Sequence, residues 1–94
     1  MAKRITKVGR YRVEDATRPY QPGEELSLRE ISGYERRAAR TVLREVRNVE
    51  PEVLRYARRA MGLTQARLSE LLKVTAETVS RWETGAEPYK PALP

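Results

Sequence analysis

Between Gln65 and Thr84 the larger apolar residues fall in two short runs of helical spacing, Leu68, Leu71 and Leu72, then Val79 and Trp82, with Lys73 and Val74 breaking the register. Thr64 and Thr75 stand where each run needs an N-terminal cap, and Gly85 stands where the second must stop. Helices this short do not bury their apolar faces alone. They must cross steeply about a tight turn, with small Ser69 at the crossing and the outer side of the second helix left clear of the core.

The preceding chain supplies what such a corner packs on. From Leu28 the apolar positions Leu28, Ile31, Tyr34, Ala38, Val42 and Val46, with Leu43 beside them, make one helical stripe and predict a helix over 28–47. Ser27 with Glu30 and Ser32 with Glu35 each fit a capping box at its start. Asn48 is a candidate left-handed residue ending that helix, and Pro51 suits the first position of the next. Val53, Leu54, Ala57 and Met61 then share a face up to Gly62. After Gly85, Pro88, Pro91 and Pro94 predict an extended tail.

Residues 1–24 hold six basic and three acidic side chains and too few apolar ones to fold by themselves. Tyr11 and Val13 alternate with Arg10 and Arg12, so a short strand or hairpin and a mobile basic arm both remain open. The sequence Gln21 to Glu25 reads as a turn. The expected fold is all-α: four helices in all, an amphipathic one in 25–48 and three in the domain at 51–94 with its extended tail, preceded by the basic arm or short β element in 1–24.

Composition narrows function. With no Cys and no His, the chain has no thiol nucleophile, imidazole base, disulfide or zinc-ribbon ligands, so neither an enzyme nor a cofactor is expected. A net charge of +6 allows nucleic acid as a partner without requiring it. No apolar run approaches the ~20 residues that span a bilayer, and 1–10 lack the apolar core of a signal peptide, so a cytoplasmic protein without membrane contact is expected.

The free face of the helix from Thr75 to Thr84 carries Ala76, Glu77, Thr78, Ser80, Arg81 and Thr84, and such a helix fits the major groove of B-DNA. Ala76, Glu77, Ser80 and Arg81 are the candidate base readers. Arg81 can donate two hydrogen bonds to guanine and Glu77 can accept from the cytosine amino group. Both have plainer alternatives, Arg81 as a surface partner of Glu77 and Glu77 as a favourable charge at a helix start. Trp82, three residues from Val79, reads as core. Lys73, Thr75, Thr78 and Lys90 are candidate phosphate contacts, with Tyr89 and Lys90 open between contact with the DNA backbone and a solvated tail. The face of the 28–47 helix with Arg29, Arg36, Arg37, Arg40, Arg44 and Arg47 is either solvated or a phosphate-binding surface.

The stretch LRYARRAMGLTQARLSELLKVTAETVSRWETG resembles the Xre-type helix-turn-helix of phage repressors. Its ETVSRWETG ending and the preceding VEPEVLRYARRAMGLTQ look most like the C-terminal domain of MqsA-type antitoxins, many of which carry an N-terminal zinc domain that this chain has no Cys to build. The resemblance implies that Gln65 contacts a phosphate, that Glu77 and Arg81 occupy base-reading positions, and that Arg58 and Glu83 form an internal ion pair. It implies a DNA-binding repressor or antitoxin that autoregulates. The alternative is an interaction module whose N-terminal segment neutralises a toxin or other partner.

Two features depart from the family. Lys73 stands where the turn usually has Gly, at a cost of about 1 kcal/mol if it is left-handed. One or two helices usually follow the second helix of the motif, so either the 28–47 helix fills their place or the chain is a fragment. A single motif reads too few base pairs for an operator, so a homodimer is expected. Its contact is placed on the stripe at 28–46, helped by Tyr11, Val13 and Tyr20, against the alternative that the stripe packs internally on Leu54, Met61 and Leu72.

Overall fold

The N-terminal segment forms a hairpin, β1 (Arg4–Val8) and β2 (Tyr11–Asp15), paired antiparallel from Arg4 opposite Asp15 to Val8 opposite Tyr11. Four helices follow: α1 (Leu28–Glu45), α2 (Pro51–Ala60), α3 (Gln65–Leu72) and α4 (Ala76–Thr84). The computed structural model describes residues 4–15, 23 and 25–91. The expected turn at Gln21 to Glu25, the share of Tyr20 in a dimer contact and Pro94 therefore fall largely or wholly outside the described residues.

The hairpin resolves the open choice for residues 4–15 in favour of strands. Gly9 takes φ 60° at the first position of a two-residue turn, where a leading glycine is favoured. A Cβ on Gly9 would stand 2.5 Å from Val53 Cγ2, so the turn also presses directly on α2. Alternation does the rest: Val8, Tyr11, Val13 and Asp15 face inward, while Lys7, Arg12 and Glu14 face out. Polar anchors fix the ribbon. Arg37 Nε donates to Asp15 Oδ2 at 2.8 Å, Arg4 and Arg37 lie over the Tyr34 ring at 5.0 and 4.9 Å, and the Tyr11 hydroxyl donates toward the Asn48 carbonyl and Glu50.

The capping box that starts α1 is the Ser27–Glu30 one, with both reciprocal hydrogen bonds formed. The helix ends at Glu45, and Val46 closes it in extended conformation; Asn48 does not supply the expected left-handed stop, since Lys73 is the sole non-glycine residue with positive φ among the described residues. Tyr34, Ala38, Ala39, Val42 and Leu43 are buried, the last four in one core with Leu54, Leu68, Leu72, Val79 and Trp82. The stripe expected to hold two copies together is thus consumed inside the protomer, as the internal alternative required. Tyr11 and Val13 pack on the same core and are half-buried there. Leu28 and Ile31, at the start of α1, are the stripe residues left exposed.

α2, α3 and α4 close by similar left-handed endings. The amide of Leu63 reaches the Arg58 carbonyl, that of Val74 the Ser69 carbonyl and that of Glu87 the Arg81 carbonyl, around Gly62, Lys73 and Gly85 respectively. Lys73 takes φ 58° and ψ 43°, the strained conformation expected of it. Beyond α4 the described residues, up to Pro91, form no helix, and Tyr89 returns to the core.

Candidate nucleic-acid interface

α4 is anchored on one side and bare on the other. Val79, Trp82 and Glu83 are buried, whereas Ala76, Glu77, Arg81 and Thr84 are exposed and Thr78 and Ser80 half-buried. The Thr75 hydroxyl caps the helix by accepting from the Thr78 amide at 3.1 Å and shares a 2.8 Å hydrogen bond with the Thr78 hydroxyl. Trp82 meets Tyr89 edge to face, centroids 4.9 Å apart, and the Tyr89 hydroxyl donates to the Leu43 carbonyl at 2.9 Å. Tyr89 is therefore neither a backbone contact nor a solvated tail residue. It locks the end of α4 against α1, and burial pushes its phenol up to about 12, so it remains a donor throughout the neutral range.

The orientation of α4 against α2 and α3 depends on Glu83. This carboxylate, 3% exposed, accepts from Arg58 Nε at 2.7 Å and from its terminal nitrogen at 3.0 Å, and Arg55 lies 3.9 Å away. Burial alone raises the Glu83 carboxyl, but the hydrogen bonds from Arg58 and Gln65 and the charges of Arg58 and Arg55 outweigh it, leaving it below its ordinary value. Arg58 also donates to the Leu63 carbonyl at 3.0 Å, so one guanidinium ties α2, the α2–α3 loop and α4 together. The pair implied by the resemblance is formed, with Glu83 buried and Arg58 half-buried.

Gln65 stands at the first position of α3, yet its side-chain amide donates to Glu83 Oε1 at 3.3 Å. Its side chain thus braces the ion pair, and the Thr64 hydroxyl caps the same helix by accepting from the Arg67 amide at 3.1 Å. Lys73 and Lys90 are exposed, at the α3–α4 turn and in the tail.

Arg81 is held in place on the bare face. One terminal nitrogen donates to Glu77 Oε1 at 2.5 Å and the other to Glu87 Oε1 at 3.2 Å. Glu87 was not legible as a partner because the helix closure at Gly85 brings it back beside α4. Exposed pairs like these are worth about 0–1 kcal/mol each, so a guanine edge offering about 1–3 kcal/mol competes with them. Charge is otherwise balanced here: between Gln65 and Lys90 the bases Arg67, Lys73, Arg81 and Lys90 meet the acids Glu70, Glu77, Glu83 and Glu87. The positive excess of the chain lies elsewhere.

Among the described residues no cluster of potential metal ligands occurs, and no helix is long and apolar enough to cross a membrane. No curated protein and no solved structure matches the chain. The closer likeness to MqsA-type antitoxins accordingly has no relative behind it. Residues 54–93, which hold most of α2 and all of α3 and α4, match the helix-turn-helix family model, and this part of the chain is similar to that family of DNA-binding regulators.

Proposed function

We propose that the chain is a sequence-specific DNA-binding transcription regulator that represses by occupying an operator with α4 in the major groove. The observation that carries this reading is the two-sidedness of α4: Val79, Trp82 and Glu83 anchor it, and Glu77 and Arg81 stand on its exposed face within the matched region. Arg81 reads a guanine, Glu77 positions it or meets a cytosine, and Ala76 and Ser80 contact neighbouring base edges. Lys73, Thr75, Thr78, Lys90 and the start of α3 at Gln65 meet the phosphates.

An operator requires two copies, with recognition helices about one turn of DNA apart, ~34 Å. Because the α1 stripe is internal, they pair through another surface. Residues 1–24 gripping a toxin, with an antitoxin role and autoregulation, has less behind it, since the inward face of the hairpin is already engaged by the domain. Titration of labelled duplex against salt tests the proposal. A steep fall in affinity with salt is expected, and Arg81→Ala should lower affinity for a selected site by about 1–3 kcal/mol while leaving random duplex nearly unaffected. Affinity independent of salt, or an unchanged Arg81→Ala variant, would overturn it.

A further inference from the structure

Arg36, Arg37, Arg40 and Arg44 stand together on α1, beside an open apolar groove. The groove holds about 370 Å³ and runs between α1 and the corner joining α2 to α3. Its floor is Leu43, Leu68 and Leu72, residues of the core itself. One rim is Leu63 and Leu71, the latter 53% exposed although its spacing in α3 predicts burial. The other rim is Arg36, Arg37, Arg40 and Arg44. Arg37 is engaged by Asp15 and Arg44 lies 3.6 Å from Glu45, but Arg36 and Arg40 have no acidic partner among the described residues.

We propose that this groove is a docking site for an acidic amphipathic helix of a partner protein. Charge and spacing choose the occupant. Arg36, Arg40 and Arg44 follow one another every fourth residue, so they form a row with a repeat of about 6 Å along α1. A helix laid alongside presents carboxylates at its own four-residue spacing with the same repeat, and arginine is the side chain suited to paired hydrogen bonds with them. Its apolar stripe then covers Leu71 and Leu63, burying surface that is otherwise left to water. A nucleic-acid backbone would satisfy the arginines but has nothing to place over the leucines. The site is separate from the exposed face of α4, so it adds an input to the proposed regulator without using its DNA-reading residues.

The test uses the full chain labelled with nitrogen-15 and three synthetic helical peptides of one length. The first carries glutamates at every fourth position beside a leucine stripe, the second has lysine for each glutamate, and the third has serine for each leucine. Binding of the first alone is expected, with amide shifts at residues 36–44, 61–63 and 68–72. Arg36→Glu with Arg40→Glu should weaken it about tenfold or more, as should Leu71→Ser, whose exposed position leaves the fold intact by circular dichroism. Arg81→Ala should leave it unchanged. The proposal is overturned if no peptide binds, if the lysine or serine peptide binds equally well, if the shifts fall on α4, or if random duplex DNA displaces the peptide from the same residues.

Discussion

Arg58→Ala removes the group that neutralises a buried carboxylate, and the cost can be worked from what remains. Glu83 would keep the Gln65 amide at 3.3 Å and the distant charge of Arg55 at 3.9 Å, neither a replacement for two hydrogen bonds at 2.7 and 3.0 Å. Breaking a buried pair costs about 3–5 kcal/mol, and the residual partners put this site near the lower end, at about 3 kcal/mol. In a domain of this size that lowers the melting temperature by ~12–24 °C. Glu83→Gln should cost less, about 2 kcal/mol, since an acceptor oxygen survives and Arg58 keeps the Leu63 carbonyl. Replacing both by apolar residues should be milder than the sum of the two single changes.

Urea unfolding followed by circular dichroism at pH 7 measures all three. The pH dependence has a definite sign. Glu83 has a depressed folded pKa, so its contribution is present above its ordinary value of 4.5 and disappears as pH falls through the folded value. Wild-type and Glu83→Gln stabilities should therefore converge in acid and differ most above about pH 5. A coupling energy below about 0.5 kcal/mol between the two positions would refute the reasoning.

Lys73→Gly relieves the left-handed strain at φ 58° and should stabilise the fold by about 1 kcal/mol in urea unfolding, while weakening binding to random duplex through loss of a charge. Gly9→Ala forces a Cβ against Val53 at a positive φ and should destabilise the domain, with loss of amide-exchange protection in β1 and β2. Leu43→Glu should unfold the chain instead of yielding a folded monomer, because Leu43 is buried within the protomer; circular dichroism with light scattering distinguishes the outcomes.

The caps, the helix starts and the two-sided character of α4 were legible because they are local: Ser27, Thr64 and Thr75 each satisfy an amide three residues on. The Arg58–Glu83 pair, separated by 25 residues, was legible only through the resemblance. What periodicity could not supply was distance between helices. Leu71 keeps helical spacing with Leu68, yet α1 stands off from it and leaves the groove. Tyr89 looked like tail because nothing local distinguishes a tyrosine that returns to pack on Trp82 from one in water. Gln65 and Glu87 show the same limit: their partners, Glu83 and Arg81, are set by the crossing of helices and by the closure at Gly85.

The most direct test of α4 as the reading element joins one atom of DNA to one side chain. In a selected site, replacing the guanine assigned to Arg81 by 7-deazaguanine removes the N7 acceptor and little else. Wild-type protein should lose affinity by about 1 kcal/mol or more, whereas Arg81→Ala, already without its donor, should bind both duplexes equally. Equal losses in wild type and Arg81→Ala at every guanine of the site would contradict the assignment of Arg81 to the major groove.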